Sequence, residues 1–161
     1  MNIPYNCVHS NLLQKYEFCL SIHEPNVVWI NSPFPPSVSD ITVFRGGDAN
    51  KDEKERDQSA LYFQLEEGDK AVADSGYAGE PRKIVMTKDE HSCEFKEFLA
   101  RAKNRQETFH WQLKAFNILG QRFRHGKNTE HKMSLHKMAV EAVAVIVQYD
   151  YENGHPPFDV R

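Results

Sequence analysis

Lys70-Ala71-Val72-Ala73-Asp74-Ser75-Gly76-Tyr77 opens the stretch on which the rest of the chain turns, and Arg105-Gln106-Glu107, with Lys114 seven positions on, closes it. The apolar run Ala71 to Ala73, bounded by Asp74-Ser75-Gly76, predicts a strand that ends at an acid. From Asp89 the period becomes helical. Phe98, Ala102, Phe109, Leu113 and Phe116 fall within about 60° on a helical wheel and predict a core stripe. Lys103, Glu107, His110 and Lys114 form a second stripe turned away from the first. Asp74 therefore ends a strand and Glu107 lies on a later helix, with 32 residues between them. Carboxylates are the hard oxygen donors that Mg²⁺ prefers, and an ion that keeps several waters needs only a few of them. Two such ions about 4 Å apart activate a water and steady the leaving oxygen of a phosphodiester. On spacing alone, Glu107 reads first as a surface partner of Lys103 and Lys114, one and two turns away, such a pair being worth about 0.2–0.5 kcal/mol.

The 161 residues, 40% apolar and 11% aromatic, support one globular domain. No run of roughly 18 apolar residues predicts a membrane span, and Met1-Asn2-Ile3-Pro4-Tyr5 lacks the basic and apolar regions of a signal peptide. Cys7, Cys19 and Cys93 are odd in number and far apart, and read as reduced thiols of an intracellular protein. The net charge of −3 conceals an asymmetry: between Arg101 and Lys137 nine Lys and Arg face two acids, a local charge of +7. Such a block reads either as a polyanion-facing surface or as a solvated helix face.

Along the chain, residues 1–14 show no period. Tyr16, Phe18, Leu20 and Ile22 alternate with Lys15, Glu17 and Ser21, and with the turn His23-Glu24-Pro25-Asn26 and the run Val27 to Ile30 they predict a hairpin. Pro33, Pro35 and Pro36 predict a loop from Asn31 to Ser39. Asp40 after it reads first as a helix cap, alternatively with Ser39 in that role. Residues 46–57 are charged and poor in apolar groups, with 48–57 expected to be mobile. Ile84-Val85-Met86 predicts a short edge strand. Leu135, Met138, Ala142, Val145 and Tyr149, spaced 3, 4, 3 and 4, predict the core stripe of a helix over 133–151.

Five blocks in order resemble the catalytic domain of DDE superfamily endonucleases, the Harbinger-like and bacterial insertion-sequence transposases. They are Val28-Trp29-Ile30-Asn31-Ser32-Pro33-Phe34-Pro35 with Asp40-Ile41 and Phe44-Arg45; Asp74-Ser75-Gly76-Tyr77; Arg105-Gln106-Glu107 with Lys114; Gln121-Arg122-Phe123-Arg124-His125; and Glu152-Asn153-Gly154 with Pro157-Phe158. The likeness covers most of the chain. It implies an α/β, RNase H-like mixed sheet with flanking helices. It also implies a metal-dependent hydrolase that cuts and joins DNA with Mg²⁺ or Mn²⁺, and a nuclear location in a eukaryotic host. Asp74 and Glu107 would be catalytic acids and metal ligands, with Asp40 a third candidate. Lys103, Lys114, Arg101, Arg105, Arg122 and Arg124 would contact DNA. A homo-oligomer or a companion DNA-binding protein are the further partners expected, and no membrane.

The chain departs from the pattern at two points. Lys103 stands where the family often has Arg, losing bidentate phosphate contact. The family's first acid lies on the first strand, yet no acid precedes Glu17. The resemblance therefore implies an N-terminally truncated domain over residues 1–161 that lacks the first central strand. Such a domain would be poorly stable and inactive alone, or a non-catalytic remnant that binds DNA or protein.

Overall fold

The computed structural model describes residues 2–11, 14–24, 26–120, 126–157 and 160; across 2–11 the description is of the backbone. The hairpin forms as the alternation predicts: β2 (Lys15–Ser21) pairs antiparallel with β3 (Val27–Phe34), Phe18 opposite Ile30 and Cys19 opposite Trp29. β3 continues past Ile30 through Pro33 to Phe34, where a loop was expected. The sheet order explains this. β3 is an edge strand, and proline, which has no N–H to donate, is tolerated at an edge.

The main correction concerns the strand expected to be missing. Residues Asn2–Asn11 form β1 at the centre of the sheet. β1 pairs antiparallel with β2, Val8 opposite Phe18, and parallel with β4 (Asp69–Val72), Asn6 opposite Val72. β5 (Ile84–Val85) adds parallel to β4, giving the order β3-β2-β1-β4-β5. Two inner edges of unpaired N–H and C=O groups would recruit any extended segment within reach. This pull outweighs the weak strand pattern of residues 2–11, and a bulge between Asn2 and Tyr5 accommodates the irregular stretch that contains Pro4.

Helices cover both faces. α3 (Cys93–Ala115) and α5 (Thr129–Glu152) pack on one: Tyr16, Phe18 and Leu20 meet Phe109, Leu113, Val140 and Val147. Ile22, Val72 and Val85 meet Leu99 and Ala102 on the same side. The other face carries α1 (Asp40–Arg45), α2 (Leu61–Gln64) and the 3₁₀ turn Ser75–Tyr77, with Phe44, Leu61 and Tyr77 packed on Cys19, Ala71 and Ala73. A short helix α4 (Asn117–Gly120) follows α3. The loop expected to be mobile folds back on itself: Arg56 donates to the carbonyls of Ala49 and Lys51, and a 3₁₀ turn forms at Glu53–Glu55.

Two further expectations are corrected. Cys19 is buried and disulfide-bonded rather than a reduced thiol, while Cys93 is free and exposed. In α5 the buried residues are His136, Val140, Val143, Ala144, Val147 and Tyr151. Met138, Val145 and Tyr149 of the expected core stripe point outward. Both stripes have helical spacing, and only the sheet's position decides which is covered. Among the described residues no helix is long and apolar enough to cross a membrane.

Candidate functional site

β4 ends beside β1, and the chain turns immediately into the 3₁₀ turn, so Asp74 is left exposed at the strand end. Its carboxylate caps the turn by accepting from the Gly76 N–H at 2.9 Å. On α1 the helix cap is Ser39, whose hydroxyl accepts from the Thr42 N–H. Asp40 is thereby released from the capping role first assigned to it. It sits in the first turn, with Oδ1 2.6 Å from Lys15 Nζ. Its Oδ2 lies toward Gly76: a Cβ placed on Gly76 would stand 2.5 Å from Asp40 Oδ2 and 3.1 Å from Asp74 Oδ1. The two carboxylates thus flank one point that only a glycine leaves open. Arg45 at the far end of α1 pairs with Glu80 beyond the turn, clamping the two segments together.

Beneath this pair lies a residue the sequence reading passed over. Glu17 of β2 is fully buried. Trp29 Nε1 donates to its Oε2 at 3.3 Å, the Tyr77 hydroxyl donates as well, and Oε1 has no hydrogen-bond partner among the described residues. Burial pushes its carboxyl up to about 8, the charge of Asp40 adding to the rise and the bonds from Trp29 and Tyr77 opposing it. The buried Tyr77 hydroxyl is raised well above its ordinary range, by burial first and then by Glu17, Asp40 and Asp74. Glu17 was missed because it shares parity with Lys15 and Ser21, which marked a solvent face. Its position between Tyr16 and Phe18 in a sheet covered on both sides was the available signal.

The other expected residues are distributed as follows. Glu107 is exposed on α3, the helix on the opposite face from α1 and the 3₁₀ turn. Asp40 and Asp74 come together and Glu107 stands outside their pair. Among the described residues no three acids, histidines or cysteines are grouped closely enough to hold a metal ion. Arg101 and Lys114 are exposed, and Lys103 is half-buried with Nζ on Thr87 Oγ1 at 3.2 Å. Arg105 corrects its assignment to DNA: it is buried, donating to the carbonyls of Ser21 and Ile22 at 3.1 Å each. His110, placed on the outward stripe, is buried edge-on to Phe18. Arg122 and Arg124 lie outside the described residues.

The donor set suits a hard cation in part. Two carboxylates flank one point beside Gly76 and supply the hard oxygens that Mg²⁺ takes, an ion commonly held by one or two carboxylates and its own waters, while Lys15 competes for one Asp40 oxygen.

A mixed sheet covered on both faces, with carboxylates gathered where a central parallel strand ends, defines an α/β domain with an acidic site at its strand ends. The model of the DDE superfamily endonuclease family matches residues 5–148, and the chain belongs to that family of transposase-like nucleases. No curated protein and no solved structure matches it.

Proposed function

We propose that this is an RNase H-like nuclease domain that acts on DNA with Mg²⁺ or Mn²⁺. The observation that carries the reading is the pairing of Asp40 with Asp74 around Gly76 at the end of β4. The strand order supports the fold: an antiparallel β1-β2-β3 meander extended by β4 and β5 parallel to β1. Asp74, with Asp40 beside it, would hold the ion, while Glu107, the second acid that the family resemblance assigns, stands outside this pair on α3. When bound, the ion supplies Lewis-acid charge neutralisation at the scissile phosphodiester. The chain's own groups do the positioning. Gly76 N–H holds the Asp74 carboxylate, Lys15 orients Asp40, and Glu17 with Tyr77 and Trp29 forms the floor.

Arg101, Lys103, Lys114, Arg122 and Arg124 contact phosphates in this reading. Binding to duplex DNA should be sequence-independent and fall steeply with salt, each neutralised phosphate adding a slope of about −0.9 in log K against log salt. Fluorescence anisotropy on unrelated duplexes across a salt series checks this. A flat salt response, or no binding in dilute buffer, contradicts it.

A second reading, a remnant that binds DNA without cutting it, is favoured by the Lys15 ammonium on Asp40 and by Glu107 standing apart from the acid pair. Supercoiled plasmid separates the two. A nuclease nicks it with Mn²⁺ or Mg²⁺ and not in EDTA, and Asp74→Asn or Asp40→Asn lowers the rate at least about 100-fold, as removal of a transition-state stabiliser does. Undiminished DNA binding with no nicking in either metal selects the remnant.

A further inference from the structure

α5 is apolar on two opposite sides. One side is the buried stripe against β2 and α3. On the other, Met138 is 61% exposed, Val145 67%, Ile146 51% and Tyr149 66%, with Ala142 exposed among them. Trp111, 71% exposed on α3, borders a groove of about 380 Å³ that Ile146 and Tyr149 also line. A helix apolar all round is normally covered all round. Met138, Ala142, Val145 and Tyr149 are spaced 4, 3 and 4, the repeat of a seam that receives a partner helix.

The charges along α5 identify the partner. Toward its start it carries Lys132 and Lys137 against Glu130, Lys137 pairing with Glu141 in the same helix, and its last turn carries Asp150 and Glu152. The helix dipole adds the same polarity, positive at the start and negative at the end. A parallel copy would set like charges side by side, whereas an antiparallel copy sets each half against its complement. We propose that this face is a dimer interface on which a second copy of the chain lays its own α5 antiparallel, about a two-fold axis near Ala142. In that arrangement Met138 meets Val145 and Ile146 of the other copy, Leu135 meets Tyr149, and Lys132 reaches Asp150 and Glu152. Ala142 on the axis lets the backbones approach. The inference does not depend on the nuclease reading.

Sedimentation equilibrium of the 161-residue chain across micromolar concentrations should show a monomer–dimer equilibrium. Val145→Glu, or Met138→Glu, should raise the dissociation constant at least about tenfold, as disrupting an interface hot spot does, while leaving the melting of the monomer unchanged because both side chains are exposed. Lys132→Glu should weaken the dimer and Lys132→Glu with Glu152→Lys should restore it. In a Cys93→Ser background, Ala142→Cys should cross-link to its own copy and Met138→Cys should not. A monomer at every concentration, a dimer indifferent to both glutamates, or cross-linking through Met138→Cys as efficient as through Ala142→Cys overturns the proposal.

Discussion

At pH 8 in metal-free buffer, Glu17→Gln is expected to be more stable than the native chain, and the advantage should vanish near pH 5. Glu17 is fully buried and burial pushes its carboxyl up to about 8, against an ordinary value of 4.5. Between those two values the folded chain holds a proton that the unfolded chain has released. Stability from this group is therefore complete below pH 4.5 and is lost progressively as pH rises to 8. A shift of that size corresponds to at most about 5 kcal/mol, at about 1.4 kcal/mol per unit, which is large against a typical domain stability of about 5–15 kcal/mol. Glutamine keeps an oxygen for Trp29 and carries no charge to bury. His136, whose ring lies 2.6 Å from the Tyr16 hydroxyl, is held below its ordinary value by burial. It acts in the opposite direction, costing stability as pH falls below its ordinary 6.5. The difference between the two proteins isolates Glu17, because His136 is common to both. Urea unfolding of each at intervals from pH 5 to 8.5 reads the effect. Parallel pH profiles for the two proteins would show that Glu17 ionises without cost.

Arg105→Ala is expected to destabilise the domain by about 2–4 kcal/mol and to leave the salt dependence of DNA binding unchanged. Its guanidinium donates to the Ser21 and Ile22 carbonyls, where β2 leaves the sheet for the turn. Removing it strands two buried acceptors and opens space under the turn. Lysine offers no fork to span both carbonyls, so Arg105→Lys should recover only part of the loss. Arg101→Ala and Lys114→Ala should do the reverse: both are exposed, so melting should not move, and each should reduce the salt slope by about 1. Thermal melts and anisotropy titrations on the same four proteins make the comparison. An Arg105→Ala protein that melts normally and binds DNA like Arg101→Ala would return Arg105 to the DNA-facing surface.

Both results turn on residues that sequence patterns misread, and for one reason. Periodicity reports which residues share a face; it does not report whether that face is covered. Glu17 alternates correctly with Tyr16 and Phe18, yet α1 and the 3₁₀ turn cover its side as fully as α3 covers theirs. Arg105 belongs to a basic run, yet the helix turns it inward onto strand carbonyls. On α5 the 3-4 spacing was read correctly as an apolar stripe, but the sheet lies against the other one.

What the amino-acid order determined by itself was local and sequential. The hairpin of β2 and β3 followed from the alternation over residues 15–22, the turn at Pro25-Asn26 and the apolar run Val27 to Ile30. The strand ending at Asp74 followed from its bounding turn residues, and the long helices from their period. Membership of the nuclease family followed from five short blocks in order, a signal that needs no folding to be read. Only the tertiary structure decided the rest. Residues 2–11 have only a weak strand pattern of their own, and become a strand because β2 and β4 leave hydrogen-bonding edges on either side of a central gap. Asp40 and Asp74 are 34 positions apart. They meet because Ser39 takes the cap, Lys15 and Arg45 anchor α1, and Gly76 has no side chain to hold them apart. Such contacts depend on how layers pack, and packing is a property of the whole chain rather than of any window along it.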